Sequence, residues 1–357
     1  MGIVERAADL AELGRVGQRE AQRLPRKRSF PEALTRIAVL IPCYNEELTI
    51  GAVVRDFRAA LPDAEIFVYD NNSRDGTSAA ARAAGVEPRR EPLAGKGNVV
   101  RRMFADVEAD VYVLVDGDAT YHAPSAPEMV RRLSSERLDM VVGRRRHAGA
   151  AGAYRAGHEW GNRMLTGVVG WTFGGSFGDM LSGYRALSRR FVKSFPALAT
   201  GFETETELTV HALSLKLPVA EVDTPYFSRP EGSSSKLQTY RDGAHILITI
   251  VKLLKEERPL AFFSAIAAAL MALALLLAAP IFVTYAETGL VPRFPTAIAA
   301  TGVTILAFLS VACAFILDSV RHGRLETRRL FYLRLPASEG AAAPQAAAPP
   351  QAAPNNH

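Results

Sequence analysis

Val111-Tyr112-Val113-Leu114-Val115-Asp116-Gly117-Asp118 decides the fold. Its first five residues are apolar at every position, without alternation. That pattern suits a strand covered on both faces, as in a parallel sheet. Two carboxylates follow directly, two residues apart. Asp116 and Asp118 at a strand end suit a divalent cation, Mg²⁺ or Mn²⁺, shared with a diphosphate. The same spacing occurs in ordinary turns, so the position after a buried strand is what makes it a candidate site.

Upstream, Ile37-Ala38-Val39-Leu40-Ile41 is a second apolar run, and it is expected to stop at Pro42. Helical spacing follows from Glu46 to Ala60. Ile66-Phe67-Val68-Tyr69 is a third strand, after which Ser73 is expected to cap a helix through Arg82. Downstream, Met140-Val141-Val142 is a further strand. Strand and helix in this rhythm predict an α/β domain, a mostly parallel, Rossmann-like sheet with helices on both faces. In such sheets the ligand sits beyond the carboxyl ends of the strands.

The segments after those strands are therefore candidates. Pro42-Cys43-Tyr44-Asn45-Glu46-Glu47 offers a carboxylate and an amide to a ribose or base. In Asp70-Asn71-Asn72-Ser73-Arg74-Asp75-Gly76-Thr77, Asp70 sits where an acid would read a base or ribose, or would simply close a turn. Gly95-Lys96-Gly97-Asn98 opens a basic helix and makes Lys96 a substrate-binding candidate. It lacks the Gly-Lys-Ser/Thr ending of a phosphate-binding Walker loop. Glu203, Glu205 and Glu207 alternate as in a strand, but the spacing of Leu208 to Leu217 favours a helix with acids at its positive end.

Composition narrows the class. The 357 residues suggest about two domains. With 48% hydrophobic and 22% charged residues, the chain is neither mostly disordered nor a coiled coil. Cys43 and Cys313 are too few and too distant for a disulfide scaffold or a cysteine zinc site. The net charge of +5 raises nucleic acid as a partner, but the basic residues form no nucleic-acid motif. They cluster beside apolar segments instead.

Leu260 to Val283 and Thr296 to Leu317 are each long enough for the ~20 residues that cross a bilayer. The connector carries only Glu287 and Arg293, whereas Arg321 to Arg334 holds five arginines against one glutamate. The bias predicts a multi-pass protein with both termini and the domain before the first span on the cytoplasmic side. Ile246, Leu247, Ile250, Val251 and Leu254 form one stripe, expected to lie in the membrane interface or to pack on the soluble domain. The expected division is a basic arm at 1–35, an α/β domain at 36–240, an amphipathic helix at 241–258, a two-helix hairpin at 259–334 and an Ala/Pro-rich tail at 335–357.

Taken together, Ile41-Pro42-Cys43-Tyr44-Asn45-Glu46, the Asp70–Thr77 segment, Asp116-Gly117-Asp118, Asp179-Met180-Leu181-Ser182-Gly183-Tyr184-Arg185 and Arg229-Pro230-Glu231-Gly232-Ser233-Ser234-Ser235-Lys236-Leu237 resemble the family 2 inverting glycosyltransferases of the GT-A fold. Within them the chain is similar to the dolichol-phosphate mannose synthase and bacterial polyprenyl-phosphate glycosyltransferase group. The resemblance implies transfer from a UDP- or GDP-sugar to a polyprenyl phosphate. A soluble or polysaccharide acceptor, or an inactive donor-binding scaffold, are the alternatives. It implies that Pro42, Tyr44 and Glu46 begin the nucleotide site, that Asp70 meets base or ribose, and that Asp116 and Asp118 bind the metal. Arg145 would meet the lipid phosphate, Asp179 and Arg185 would lie on the acceptor side, and Arg229, Ser235 and Lys236 would close over the phosphates. Asp179 would orient its neighbours or act as a base. The chain departs from the family in Asn71, where a second acid is common, and in Thr120, where many members have Gln. Partners implied are nucleotide-sugar, lipid phosphate and membrane, with room for a homo-oligomer.

Overall fold

The computed structural model describes residues 35–147, 178–199, 203–229 and 251–336, with positions 167, 169, 170, 201 and 248 between them. The expected arm up to 34, the tail from 337, Ser235, Lys236 and, of the amphipathic segment, 241–247, 249 and 250 lie outside the described residues.

Among the described residues seven strands form one sheet in the order β3-β2-β1-β4-β6-β5-β7. They are β1 Ile37–Cys43, β2 Glu65–Asp70, β3 Arg89–Arg90, β4 Val111–Leu114, β5 Met140–His147, β6 Arg185–Ser188 and β7 Val219–Tyr226. Pairing is parallel except where β6 inserts antiparallel between β4 and β5. The unbroken apolar runs have a simple cause. Leu40, Tyr112 and Leu114 face one core, while Val39, Ile41, Val111 and Val113 face the other. Successive side chains point to opposite faces, and both faces are covered.

Helix α1, Ile50–Ala60, buries Ile50, Val53, Val54 and Phe57 on one face of the sheet. Helix α3, Lys96–Asp106, buries Val99, Val100, Met103 and Phe104 on the other. Between and after them come α2 Thr77–Ala83, α4 Ala126–Ser135, α5 Arg189–Ser194 and α6 Thr204–Ser214. The chain leaves β1 toward β2 and later returns to its other side as β4. That reversal opens a crevice at the carboxyl ends of β1 and β4.

Several local expectations are corrected. β1 runs through Pro42 to Cys43 rather than stopping before it. β4 pairs β1 only as far as Leu40, so Pro42 lies where β1 has β2 alone beside it, and its missing N–H disrupts no central ladder. Ser73 does not cap α2; its hydroxyl accepts from the Asn45 amide, while Asp75 accepts from Thr77 N at 3.1 Å.

Among the described residues two helices are long and apolar enough to cross a membrane, α7 Pro259–Thr288 and α8 Phe294–Arg334. They pack as a pair through Ala267 and Ala274 against Ala300, Ala307 and Ala314. Alanine every seventh residue lets two backbones approach closely, which is how helices associate in lipid. The 41 residues of α8 reach ~60 Å, about twice the ~30 Å hydrocarbon thickness. Its basic end is thus a stalk that meets the catalytic domain. Tyr332 donates to Asp139 at 2.7 Å and lies under the Arg190 guanidinium, 4.2 Å from its ring centre. Arg329 donates to the Leu215 carbonyl at 3.3 Å. Residues 251–257 are helical, and there Leu253 and Leu254 pack against the catalytic core while Val251 is exposed.

Candidate active site

The turn after β4 is fixed from three sides. Val115 N donates to Leu40 O at 3.1 Å, and the Thr49 hydroxyl donates to Gly117 O at 2.7 Å. A Cβ on Gly117 would come within 2.8 Å of Cys43 Sγ, so only glycine lets the turn sit on the end of β1. Ala119 then takes a left-handed φ of 58°, and Asp118 is turned inward. Its Oδ1 accepts from Thr120 N at 3.2 Å and from the Thr120 hydroxyl at 2.6 Å. Thr120, standing where a glutamine is common, locks the second acid of the pair. The other oxygen, Oδ2, accepts from Arg229 at 2.7 Å.

Asp116 is met by Lys96, the first residue of α3, which also donates to Glu205. Burial of Lys96 pushes its ammonium pKa down, but Asp116 and Glu205 more than offset this and hold it above the ordinary lysine range. The second oxygen of Glu205, Oε2, is buried and has no hydrogen-bond partner among the described residues. Gly183 presses against Asp116 so closely that a Cβ would lie 2.5 Å from Oδ2.

Arg145 and Asp179 form a two-pronged pair at 2.6 and 2.8 Å, with the Arg145 guanidinium 5.4 Å from the Tyr226 ring centre. Tyr121 packs edge-on against Tyr226, the ring that faces Arg145. Its hydroxyl accepts from Gly183 N at 2.8 Å, and burial raises its pKa, so it stays neutral. Arg185 lies behind the site and is fully buried. It donates to the carbonyls of Met180, Ser182 and Glu205 at 2.7, 3.0 and 3.0 Å, and to the Thr209 hydroxyl at 2.9 Å. It therefore ties the loop carrying Asp179 and Gly183 to the helix carrying Glu205. Burial lowers its pKa to about 10, which still leaves it charged near neutrality.

The first two loops are laced together. Asn45 Oδ1 accepts from Arg74 N at 2.8 Å, and Glu47 accepts from Gly76 N at 2.9 Å. Pro42 ends up in β1, Tyr44 half-exposed, and Glu46 buried with its amide donating to Thr77 at 2.8 Å. Asp70 accepts from Ser73 N at 2.9 Å and from the Ser78 hydroxyl at 2.7 Å. Asn71 does what an acid there could not. Its amide donates to the carbonyls of Glu91 and Leu93, and its oxygen accepts from Gly95 N at 2.7 Å, setting the approach to Lys96.

The structure thus brings Lys96, Asp116, Asp118 and Arg229 together and sets Arg145 with Asp179 beside them. Pro42, Tyr44, Glu46 and Asp70 lie at the neighbouring strand ends. Glu205 and Tyr121 were not foreseen. Among the described residues no three His, Cys, Asp or Glu side chains form a metal cluster. Two carboxylates are nonetheless what a Mg²⁺-type ion takes from a protein when substrate phosphates supply the rest. The unpartnered Glu205 Oε2 adds a further oxygen close by.

Comparison with known proteins follows this geometry. Residues 38–194 match glycosyl transferase family 2. Glycosyltransferase AglJ of Haloferax volcanii is 34% identical over 231 residues, covering 64% of this chain and 76% of the relative. The dolichyl-phosphate hexose transferase of the same organism is 30% identical over 224 residues, covering 62% of this chain and 95% of the relative. Glucosyl-3-phosphoglycerate synthase from Mycobacterium tuberculosis, solved with Mn²⁺, UDP-glucose and phosphoglyceric acid, superposes with a TM-score of 0.51 at 26% identity, over 62% of this chain and 80% of that one. A match that runs from β1 through the acids to β6, shared with relatives covered over most of their length, leaves one assignment: the chain belongs to glycosyl transferase family 2 and is a hexosyltransferase with a GT-A-like domain.

Proposed function

We propose that the chain moves a hexose from a nucleotide-diphosphate sugar to a polyprenyl phosphate, with inversion, on the cytoplasmic face of the inner membrane. The observation that carries this is one continuous helix, α8, that is apolar enough to cross a bilayer and ends hydrogen-bonded to the catalytic domain through Tyr332 and Asp139. A site fixed in this way works next to lipid. The name of the Haloferax dolichyl-phosphate hexose transferase supports a lipid phosphate as acceptor.

In this reading Asp116 and Asp118 hold Mg²⁺ or Mn²⁺ with the donor diphosphate. The ion would supply Lewis-acid neutralisation of the leaving nucleotide. The lipid phosphate needs little deprotonation, because its second pKa is ~6. The harder task is bringing one anion to another. Arg145 and Arg229, joined by Lys236, offset that repulsion. Asp179 already gives both oxygens to Arg145, so it orients the guanidinium rather than acting as a base. Pro42, Tyr44, Glu46 and Asp70 hold the nucleoside, Lys96 steadies Asp116, and Arg185 positions the loop beneath. The catalytic unit spans 36–240 and the hairpin 259–334, with α7 and α8 entering and leaving on the cytoplasmic side.

A second reading keeps the chemistry and changes the acceptor. The solved neighbour holding phosphoglyceric acid favours a small soluble phosphate. The test is transfer of labelled sugar from a panel of UDP- and GDP-sugars by the full chain in nanodiscs. Label should enter the organic phase only when polyprenyl phosphate and Mn²⁺ are both present, and Asp118→Asn should abolish it. Nucleotide binding without any lipid product would refute the proposal.

A further inference from the structure

We propose a second ligand site, a pocket for the phosphate of an anionic phospholipid headgroup, where the two apolar helices meet the catalytic domain. A cavity of about 310 Å³ lies there, lined on its polar side by Lys255, Arg321, Arg324, Arg328, Glu257 and Ser214. That volume admits a headgroup rather than a whole lipid.

Basic residues after a membrane span are normally solvated; here Lys255 and Arg324 are exposed, whereas Arg321 and Arg328 are half-buried against the same cavity. Arg321, Arg324 and Arg328 follow at i, i+3 and i+7, so they share one face of α8. Lys255 lines the same cavity from the segment before α7. Among the described residues the lining sets Glu256 and Glu257 against these four cations, a surplus of two positive charges. Among the described residues Lys255, Arg324 and Arg328 make no hydrogen bond or ion pair. Arg321 Nε is buried and has no hydrogen-bond partner among the described residues. The nearest Glu257 oxygen, at 3.7 Å, attracts it but is too far to accept. A buried guanidinium N–H left unpaired is costly, and a phosphate oxygen in the cavity would satisfy it.

The source of that phosphate follows from the opposite wall. Pro259, Leu317, Val320 and Leu325 form its apolar side. Pro259 opens α7, and Leu317 ends the apolar stretch of α8. The pocket therefore sits at headgroup depth, where basic clefts between helices take anionic lipids. It is separate from the sugar-transfer site. Helix α6 carries Glu205 near Lys96 at one end and Ser214 in the pocket at the other, ~14 Å apart along the helix. The proposal needs α7 and α8 in a bilayer but not any particular donor or acceptor.

The test is native mass spectrometry of the full chain in detergent, titrated with phosphatidylglycerol or phosphatidylcholine, with thermal melting in inorganic phosphate as a parallel arm. One phosphatidylglycerol per chain should be retained. The double variant R324Q/R328Q should weaken retention at least ~10-fold, while R324K/R328K stays within ~3-fold. Phosphatidylcholine should not be retained, and inorganic phosphate should not shift melting. Retention by R324Q/R328Q equal to wild type overturns the site, and equal stabilisation by inorganic phosphate overturns the lipid as its source. Should that variant fail to fold, K255Q provides the same decision from the other wall, expected weaker by ~3-fold or more, with wild-type retention refuting the pocket.

Discussion

Replacing Lys96 with methionine probes the centre of the site. Lys96 and Glu205 have side chains only 11% and 7% exposed, while Asp116 is 27% exposed. Solvent therefore screens the Glu205 contact least. Removing one partner of a buried ion pair costs ~3–5 kcal/mol, because the other charge remains without compensation. Glu205→Gln leaves Lys96 paired with Asp116 and should cost only ~1–2 kcal/mol. Most of the K96M cost is the stranded Glu205 charge, so the double variant K96M/E205Q should cost less than the sum of the two. A coupling of ~1–3 kcal/mol is expected. For a domain of this size 1 kcal/mol moves Tm by ~2–4 °C, so K96M should melt ~6–20 °C below wild type and the double variant well above the additive value. Circular dichroism melting of the four proteins in one detergent measures this. Additivity to within ~0.5 kcal/mol would refute the idea that both carboxylates depend on one ammonium.

Three further outcomes follow from the same contacts. Gly183→Ala should leave the fold intact but push Asp116 aside, raising the Mn²⁺ concentration needed for half-maximal donor binding by ~10-fold or more; titration calorimetry that shows unchanged affinity would contradict the close approach. Tyr332→Phe should destabilise the catalytic domain by ~1–3 kcal/mol through loss of the bond to buried Asp139, and proteolysis should then release the stalk faster. Burial, aided by Arg328, lowers the His211 pKa from 6.5 to about 3. The unfolded chain therefore takes up a proton below pH 6.5 that the folded chain refuses. Stability is present above that pH and falls toward pH 3 by up to ~1.4 kcal/mol per unit. His211→Leu should flatten the melting curve between pH 6.5 and 4.5, and an unchanged slope would show that the histidine is not what titrates.

The parts of this site that were legible in sequence are those set by local pattern. Asp116 and Asp118 could be found because a fully apolar run predicts a strand covered on both faces, and its end predicts a crevice. Glu205 could not be singled out from Glu203 and Glu207, because the phase of α6 depends on what it packs against. Arg185 is similar: its position in a recognisable motif pointed to the acceptor side, yet it donates to three carbonyls, a hydroxyl and the Met140 sulfur that only the fold brings together. β6 was invisible because it has only four residues and begins with arginine. The continuation of α8 past Leu317 was hidden for the opposite reason. Its charges announce an exit from the bilayer, and nothing local says that the helix persists until Tyr332 finds Asp139.

The most direct test of the central claim is a competition for acceptor. The full chain in nanodiscs is given its preferred labelled nucleotide-sugar and Mn²⁺, with polyprenyl phosphate in the bilayer and 3-phosphoglycerate in solution. The account predicts that label partitions into the organic phase as a lipid-linked sugar and that the soluble acid stays unlabelled. Label appearing on the soluble acid, with none in the lipid, would contradict it.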